Sequence, residues 1–352
     1  MLNFALVGCG RISAKHIDAI SSSEDAELTA VCDADEQKAK SLGDKFNISY
    51  YSDMHLMMEK EDVDVVCVLT PSGVHAEHVI TLAEYKKHIV VEKPMALTLD
   101  DADAMINACD KNNVKLFVVK QNRFNLPVKK LREALEQNRF GKLFLGTVRV
   151  RWCRSQEYYD MDSWRGTWEL DGGVLTNQAS HHIDLLEWMM GDVESVMAKG
   201  ITAGSKIETE DTAVVILKFE NGALGVIEAT TATRPKDLEG SISILGEKGS
   251  VEIGGFAVNE MKVWNFTRTI EEDEDIINKC SVNPPNVYGF GHKEYLEHVI
   301  DCIRNNKKGL VDGLEGRKSL ELIMAIYESI ETGKEVFLRF KPKMCRLGVK
   351  NE

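Results

Sequence analysis

Residues 88–96 read His-Ile-Val-Val-Glu-Lys-Pro-Met-Ala and hold the side chain best placed for proton chemistry in this sequence. The β-branched apolar run predicts a buried strand of a parallel sheet. Pro94 has no amide hydrogen and a fixed φ, so the strand ends there and the chain turns. Lys93 is thereby left at the carboxyl end of a sheet strand, the edge at which open α/β sheets bind ligands. A lysine desolvated at such an edge gives up its proton more readily and can serve as a base. A surface lysine closing a strand is the other reading of this stretch alone.

A second polar group follows Asp171-Gly172-Gly173, where the pattern predicts a helix over about 175–190. Asn177, His181 and Asp184, spaced four and three apart, then share one helical face. Ile183, Leu185, Leu186 and Trp188 supply the apolar stripe that buries the helix against a sheet. A polar stripe beside an apolar one, entered through two glycines, reads as the wall of a site; a solvated polar face is the alternative.

The elements that must position Lys93 begin at the N-terminus. Asn3 to Val7 is strand-like and runs into Gly8-Cys9-Gly10-Arg11-Ile12-Ser13, after which Ile12, Ile17 and Ile20 mark a helix. Strand, glycine turn and helix in that order suit a dinucleotide-binding βαβ unit. Gly8 allows the tight turn, and Gly10 lets the backbone approach a pyrophosphate at the helix N-terminus. Ser13 at the third glycine position weakens the motif, because a side chain enters the helix–strand contact. The second strand, Glu27 to Cys32, ends at Asp33, whose carboxylate can accept hydrogen bonds from both ribose hydroxyls and repels a 2′-phosphate. No arginine follows in Ala34-Asp35-Glu36, so NAD is expected rather than NADP. An Asp33 that merely caps the helix beginning near Glu36 fits the same pattern.

Val63 to Leu69 is a further buried strand, followed by Thr70-Pro71-Ser72-Gly73 and a helix over about 74–85. His75 and His78 on that helix lack a third ligand of suitable spacing, so no metal is expected. A helix over about 100–112 and a strand from Lys115 to Val119 complete the alternation, which predicts a doubly wound parallel sheet. The pattern changes after Gln121-Asn122-Arg123. A helix to about Asn138 leads into long alternating stretches: Leu143 to Arg151, Ser195 to Ile201, Ala213 to Phe219, Ala223 to Ala229, Ser241 to Leu245 and Ser250 to Ile253. Asn221-Gly222 and Glu247-Lys248-Gly249 read as hairpin turns. Helices over about 292–305 and 315–332 close the chain. The expected fold class is an α/β Rossmann N-terminal domain, residues 1–122, and an α+β C-terminal domain with an open, mostly antiparallel sheet, residues 123–352.

With 352 residues and a net charge of −13, the chain has no basic stripe for nucleic acid. No apolar stretch is long enough to span a membrane, and no signal peptide is read, so a cytoplasmic protein is expected. Eight scattered cysteines form no CxxC pair; Cys9, Cys32 and Cys67 fall in apolar runs as reduced, buried thiols. The acidic run Glu271 to Asp275 reads as a solvated loop.

The Gly8/Gly10 turn, Glu92-Lys93-Pro94, and the Gly-Gly loop leading to His181 and Asp184 resemble the glucose–fructose oxidoreductase/inositol dehydrogenase (Gfo/Idh/MocA) family. The resemblance covers nearly the whole chain, including Asp312-Gly313-Leu314-Glu315, Tyr327-Glu328-Ser329 and Gly333-Lys334. It implies an NAD-dependent oxidoreductase acting on a CH–OH group, with Lys93 and His181 at the substrate hydroxyl. It implies a cofactor site of Gly8, Gly10, Arg11, Ile12, Asp33, Thr70, Pro71, Glu92, Lys93 and Gln121, with Trp164 and Arg165 toward the nicotinamide. It also implies a homo-oligomer, dimer or tetramer, built through the C-terminal sheet. Many relatives carry an aspartate where this chain has Asn177, and an amide cannot share a proton as a carboxylate does.

Three segments are more selective: Trp164-Arg165-Gly166-Thr167-Trp168, Val119-Lys120-Gln121-Asn122-Arg123 and Val287-Tyr288-Gly289-Phe290-Gly291-His292. With Asn177 to His181, they are similar to the branch that oxidises the nucleotide sugar UDP-N-acetyl-2-amino-2-deoxy-glucuronate at C3, in the biosynthesis of surface polysaccharides such as lipopolysaccharide. That substrate carries a uronate and a diphosphate. Arg123 is the expected bidentate partner of the uronate, with Lys93, Asn122, Tyr158, Tyr159, Asn177, His181 and Tyr288 as further substrate contacts. Structural packing is an equal reading of each tyrosine. Some members of the branch regenerate NAD in place with 2-oxoglutarate. The competing readings are a dehydrogenase of an inositol or free sugar and, in a different class, a non-catalytic dinucleotide-sensing regulator.

Overall fold

The computed structural model describes residues 1–282, 289 and 291–338. Six parallel strands form the first sheet: β1 (Leu2–Val7), β2 (Ala26–Cys32), β3 (Ser49–Tyr51), β4 (Val65–Val68), β5 (His88–Val91) and β6 (Leu116–Val118). Their order is β3-β2-β1-β4-β5-β6, the doubly wound arrangement whose direction reverses between β1 and β4. The helices between them are α1 (Ser13–Ser21), α2 (Glu36–Phe46), α3 (Met54–Lys60), α4 (His75–Glu84) and α5 (Leu99–Lys111). Asp35, not Asp33, caps α2, accepting from the backbone N–H groups of Gln37 and Lys38.

Helix α6 (Leu126–Glu136) leads into the second sheet. Its strands are β7 (Leu143–Arg151), β8 (Val193–Ile201), β9 (Thr212–Phe219), β10 (Leu224–Thr230), β11 (Glu239–Gly246), β12 (Gly249–Gly254), β13 (Glu260–Phe266) and β14 (Val336–Phe337). The order is β13-β12-β11-β7-β10-β9-β8-β14, antiparallel except for the parallel pair β7–β10. Alternation along β9 decides the layers: Ala213, Val215, Leu217 and Phe219 are buried, whereas Val214, Ile216 and Lys218 are exposed. The buried face is covered by α8 (Ser180–Met190), which follows the short α7 (Gln156–Asp160). Leu185, Leu186, Met189 and Met190 pack with Val148, Val150 and Ile242 in one buried cluster. Burying each such side chain contributes about 1.5–3 kcal/mol.

The last helices tie the two units together. After the four-residue α9 (Ile276–Lys279), helix α10 (Gly291–Arg304) returns to the first sheet. Tyr295, Leu296, Val299 and Ile300 share a core with Phe4, Leu6, Ile17 and Ile20. Helix α10 thus packs on the nucleotide-binding fold although it follows the second sheet in the chain. Helix α11 (Gly313–Thr332) lies against both sheets, and Gly316 lets it close on β6, since a Cβ there would fall 2.5 Å from Val118. In the acidic run, Glu271, Glu272, Glu274 and Asp275 are exposed as expected, and Asp273 is drawn inward. Asp273 pairs with Arg139 at 2.6 Å and accepts from the Trp264 indole, and these contacts outweigh burial to hold its carboxyl at about 2.

Candidate active site

Gly8 ends β1 with φ +106°, and a Cβ there would lie 2.7 Å from the Leu69 carbonyl at the end of β4. Only glycine permits both the angle and the approach. A Cβ on Gly10 would meet nothing within 4 Å, so the turn leaves its backbone open where a pyrophosphate would lie. Ser13 is buried in the helix–strand contact, its hydroxyl returned to the Gly10 carbonyl at 2.7 Å. Asp33 accepts from the Cys9 N–H at 2.7 Å and the Asp35 N–H at 2.9 Å, which fixes its carboxylate beside the turn. Ile12 is the residue preceding α1, and Arg11 is exposed with its guanidinium reaching Met161 of the second unit. These residues fit a dinucleotide.

Beyond β4, Thr70 and Pro71 lead a short turn whose Gly73 N–H donates to the Leu170 carbonyl at 3.1 Å, so this loop docks on the second unit. His75 is buried with its ring nitrogens at 2.9 Å from the Pro94 carbonyl and 2.8 Å from the Thr70 carbonyl. It braces the turn that carries Lys93.

Glu92 is buried, at 2.9 Å from His16 Nε2, and its other oxygen accepts the Lys93 N–H at 3.1 Å. Burial raises its pKa, but the His16 hydrogen bond and nearby positive charge prevail and hold it at about 2. The next side chain crosses the cleft: Lys93 Nζ donates to the main-chain carbonyl of Asn177 at 2.7 Å. Burial draws the Lys93 amine below the ordinary lysine range; Glu92 and Asp171 oppose this, and Arg154 and Arg165 reinforce it. His181 is buried in the first turn of α8. Its Nε2 faces the Gln121 side-chain amide at 3.2 Å, and its Nδ1 has no hydrogen-bond partner among the described residues. Burial, then the charges of Lys93 and Lys120, push its pKa well below the usual imidazole value, so the ring is neutral near pH 7. A neutral imidazole beside a weakened ammonium can accept and relay one proton.

Several expectations are corrected. Helix α8 starts at Ser180, so Asn177 lies in the preceding turn rather than on a shared face, and its side-chain amide is held by Asp171. Arg123 is not free to meet a ligand carboxylate. Its Nε and Nη2 each donate to Asp184 at 2.8 Å, both terminal nitrogens reach Glu315 at 3.3 Å, and its guanidinium stacks on Trp188. Tyr159 is buried with its hydroxyl on Thr231 at 2.9 Å, a packing role. Tyr158 is placed differently, its ring between the guanidinium groups of Arg154 and Arg165 and its hydroxyl accepting from Arg165 at 2.8 Å. Arg165 also stacks on Trp164. Asn122 is buried, with a carbonyl oxygen lacking a partner among the described residues. Tyr288 lies outside the described residues.

Sequence reading missed Asp171, His16, Lys120 and Arg154. Lys120 is buried 3.8 Å from Asp184. The signal for Asp171 was present: an acid directly before two glycines. Gly172 has φ +85°, and a Cβ on Gly173 would fall 2.1 Å from the Glu210 carboxylate, so this turn is packed too tightly for side chains.

A doubly wound sheet with an open glycine turn, joined to a sheet domain that brings a histidine toward a desolvated lysine, defines a two-domain nicotinamide-dependent dehydrogenase. The profile of the oxidoreductase family NAD-binding Rossmann fold (GFO_IDH_MocA) matches residues 2–120, and that of its C-terminal alpha/beta domain matches residues 132–338. The chain belongs to this family, whose members include NAD-dependent dehydrogenases of sugar and polyol hydroxyl groups, and it is one of these enzymes. It is 31% identical to the myo-inositol 2-dehydrogenase of Thermotoga maritima, covering 96% of this chain and 98% of that protein. It is 28% identical to a D-apiose dehydrogenase of Paraburkholderia graminis, over 95% and 89%. Among solved structures, the WlbA dehydrogenase of Bordetella pertussis, in complex with NADH and UDP-GlcNAcA, is 44% identical with a TM-score of 0.92, over 97% of this chain and 98% of that one. The WlbA dehydrogenase of Chromobacterium violaceum, with the same ligands, is 45% identical with a TM-score of 0.91, over 97% of each chain.

Proposed function

We propose that the protein oxidises the C3 hydroxyl of UDP-N-acetyl-2-amino-2-deoxy-glucuronate to the ketone. The observation that carries this reading is the 44–45% identity, across 97% of the chain, to two dehydrogenases solved with NADH and UDP-GlcNAcA. NAD, when bound, supplies the hydride acceptor. The chain's residues handle the proton. Lys93, from the β5 end, and His181, from α8, are the groups at the substrate alcohol; one takes its proton and the other holds it in place. A desolvated amine is suited to the first role, and the open Nδ1 of His181 to either. Arg123 is gripped by two acids, Asp184 and Glu315, and does not act on Lys93. Arg154 and Arg165 do act on it, each meets a single partly exposed acid (Asp237 at 3.1 Å and Asp162 at 2.9 Å), and these are the groups for the sugar carboxylate. The exposed face of the second sheet is the surface for a second copy of the chain.

The inositol reading keeps its support from the relative in Thermotoga maritima. Initial rates of NAD reduction separate the two. The expected result is turnover with UDP-N-acetyl-2-amino-2-deoxy-glucuronate, kcat/KM lower by about a hundredfold with UDP-N-acetylglucosamine, which lacks the carboxylate, and none with myo-inositol. Turnover with myo-inositol in place of the nucleotide sugar overturns the proposal. Adding 2-oxoglutarate to the same assay tests whether reduced cofactor is recycled on the enzyme.

A further inference from the structure

Asp171 is a buried acid inside this cleft, and no hydrogen-bonded ion pair with it is present among the described residues. One oxygen accepts the Gly166 N–H at 2.8 Å, and the other accepts the side-chain amide of Asn177. The main-chain carbonyl of that same Asn177 receives Lys93 Nζ at 2.7 Å. Asn177 is pinned from behind as well, its N–H donating to the Gly173 carbonyl at 2.9 Å. A carboxylate out of water is costly unless something gains from its charge. Here the amine of Lys93 sits one residue away across Asn177.

We infer that Asp171 is a positioning residue for Lys93: it fixes Asn177 so that the carbonyl meets the amine, and its charge holds Lys93 ready to take up a proton. The inference rests on Lys93 handling the substrate proton. The charged and titratable groups facing Lys93 are its chain neighbour Glu92, Arg154 and Arg165 from the segment after β7, Asp171, Lys120 and His181. Tyr159 also faces Asp171. Of the two acids, Glu92 acts more strongly on Lys93 and is itself bound to His16 at 2.9 Å; Asp171 is the one that also holds the residue whose carbonyl the amine meets. A strut that only shaped the 166–172 loop would leave Lys93 chemistry unchanged.

Removing the negative charge makes the Lys93 ammonium easier to deprotonate, which fixes the sign of the test. The rate at which acetic anhydride acylates Lys93, followed by peptide mass spectrometry across pH, reports its free-amine fraction without any substrate. Asp171→Asn moves the midpoint down by about half a pH unit or more. The exchange Asp171→Asn with Asn177→Asp keeps one carboxylate and one amide in contact and returns the midpoint to the parental value. In turnover, the acid limb of kcat shifts downward in Asp171→Asn while KM stays within about threefold. An unmoved midpoint in Asp171→Asn overturns the inference. So does an exchange variant whose midpoint stays low, and this comparison stands even if the single variant misfolds. A wrong substrate shows separately, as absent turnover in the parent enzyme, and leaves the acylation midpoints as the measure.

Discussion

Arg123 has the side chain most often given to a ligand carboxylate, and this fold uses it within the protein. Its fork grips Asp184, its remaining donors reach Glu315, and only 3% of its side chain is exposed. Removing Arg123 leaves the buried Asp184 with only Lys120 among the described residues, at 3.8 Å, to oppose its charge, and breaking such a buried pair costs about 3–5 kcal/mol. Arg123→Met is therefore expected to lose about that much stability in urea unfolding, with substrate KM little changed in the folded fraction. A stable variant with a raised KM would return Arg123 to the substrate site. The contrast with Lys93 shows what sequence makes legible at this scale. Pro94, the apolar run of β5 and the fixed edge of a parallel sheet place Lys93 from local information. The partners of Arg123 and Tyr159 lie in α8, α11 and the chain after β10, and no local pattern specifies them. Asp171 was legible in kind but not in contact, because its partners are set by the turn through Gly172 and Gly173.

At the level of elements, regular alternation was readable and close approach was not. The strands from β7 to β12 follow their periodicity within a few residues, whereas β3 and β14 are too short to carry a period. The predicted start of α8 came five residues early because Val174 to Ala179 fit a helical pattern, yet the Val174 N–H donates to the Glu210 carbonyl instead. Glu210 thus anchors this turn: its carboxyl accepts the Leu175 N–H at 2.9 Å and the Tyr327 hydroxyl of α11 at 3.0 Å. Burial, only partly offset by those donors, raises its pKa to about 7. An unfolded glutamate titrates near 4.3, so the folded state keeps a proton that the unfolded chain releases. That stabilisation is complete below the unfolded value and is lost as pH rises through about 7, by about 3–4 kcal/mol. Glu210→Gln retains an acceptor and removes the titration. It is expected to unfold at higher urea than the parent at pH 8 and at equal or lower urea at pH 4.5. Parallel stability curves for the two proteins across that range would dismiss this role.

The whole molecule presents two sheets with opposite needs. Both faces of the parallel sheet are covered by helices, α10 among them, while α8 and α11 cover only one face of the second sheet. On the uncovered face the registers align Met197 with Ile216 and Ile216 with Val226, a row of apolar side chains across β8, β9 and β10. A second row joins Leu224 to Leu145 and Leu145 to Leu245 on β10, β7 and β11. Met197 and Ile216 are 47% and 57% exposed, and Leu224 is 52%. Lys199, Glu228 and Arg149 flank these rows, so the patch has the apolar centre and polar border of an interface. A two-fold contact would place the same rows against each other, which makes substitutions on one strand count twice. Met197→Asp with Ile216→Asp puts four carboxylates into that contact while leaving the cleft residues untouched. Light scattering after size exclusion is expected to give an oligomer for the parent chain and a monomer for this variant. Far-ultraviolet circular dichroism should match between them, because neither side chain supports the core. A parent that already runs as a monomer at micromolar concentration removes this face as an oligomer interface.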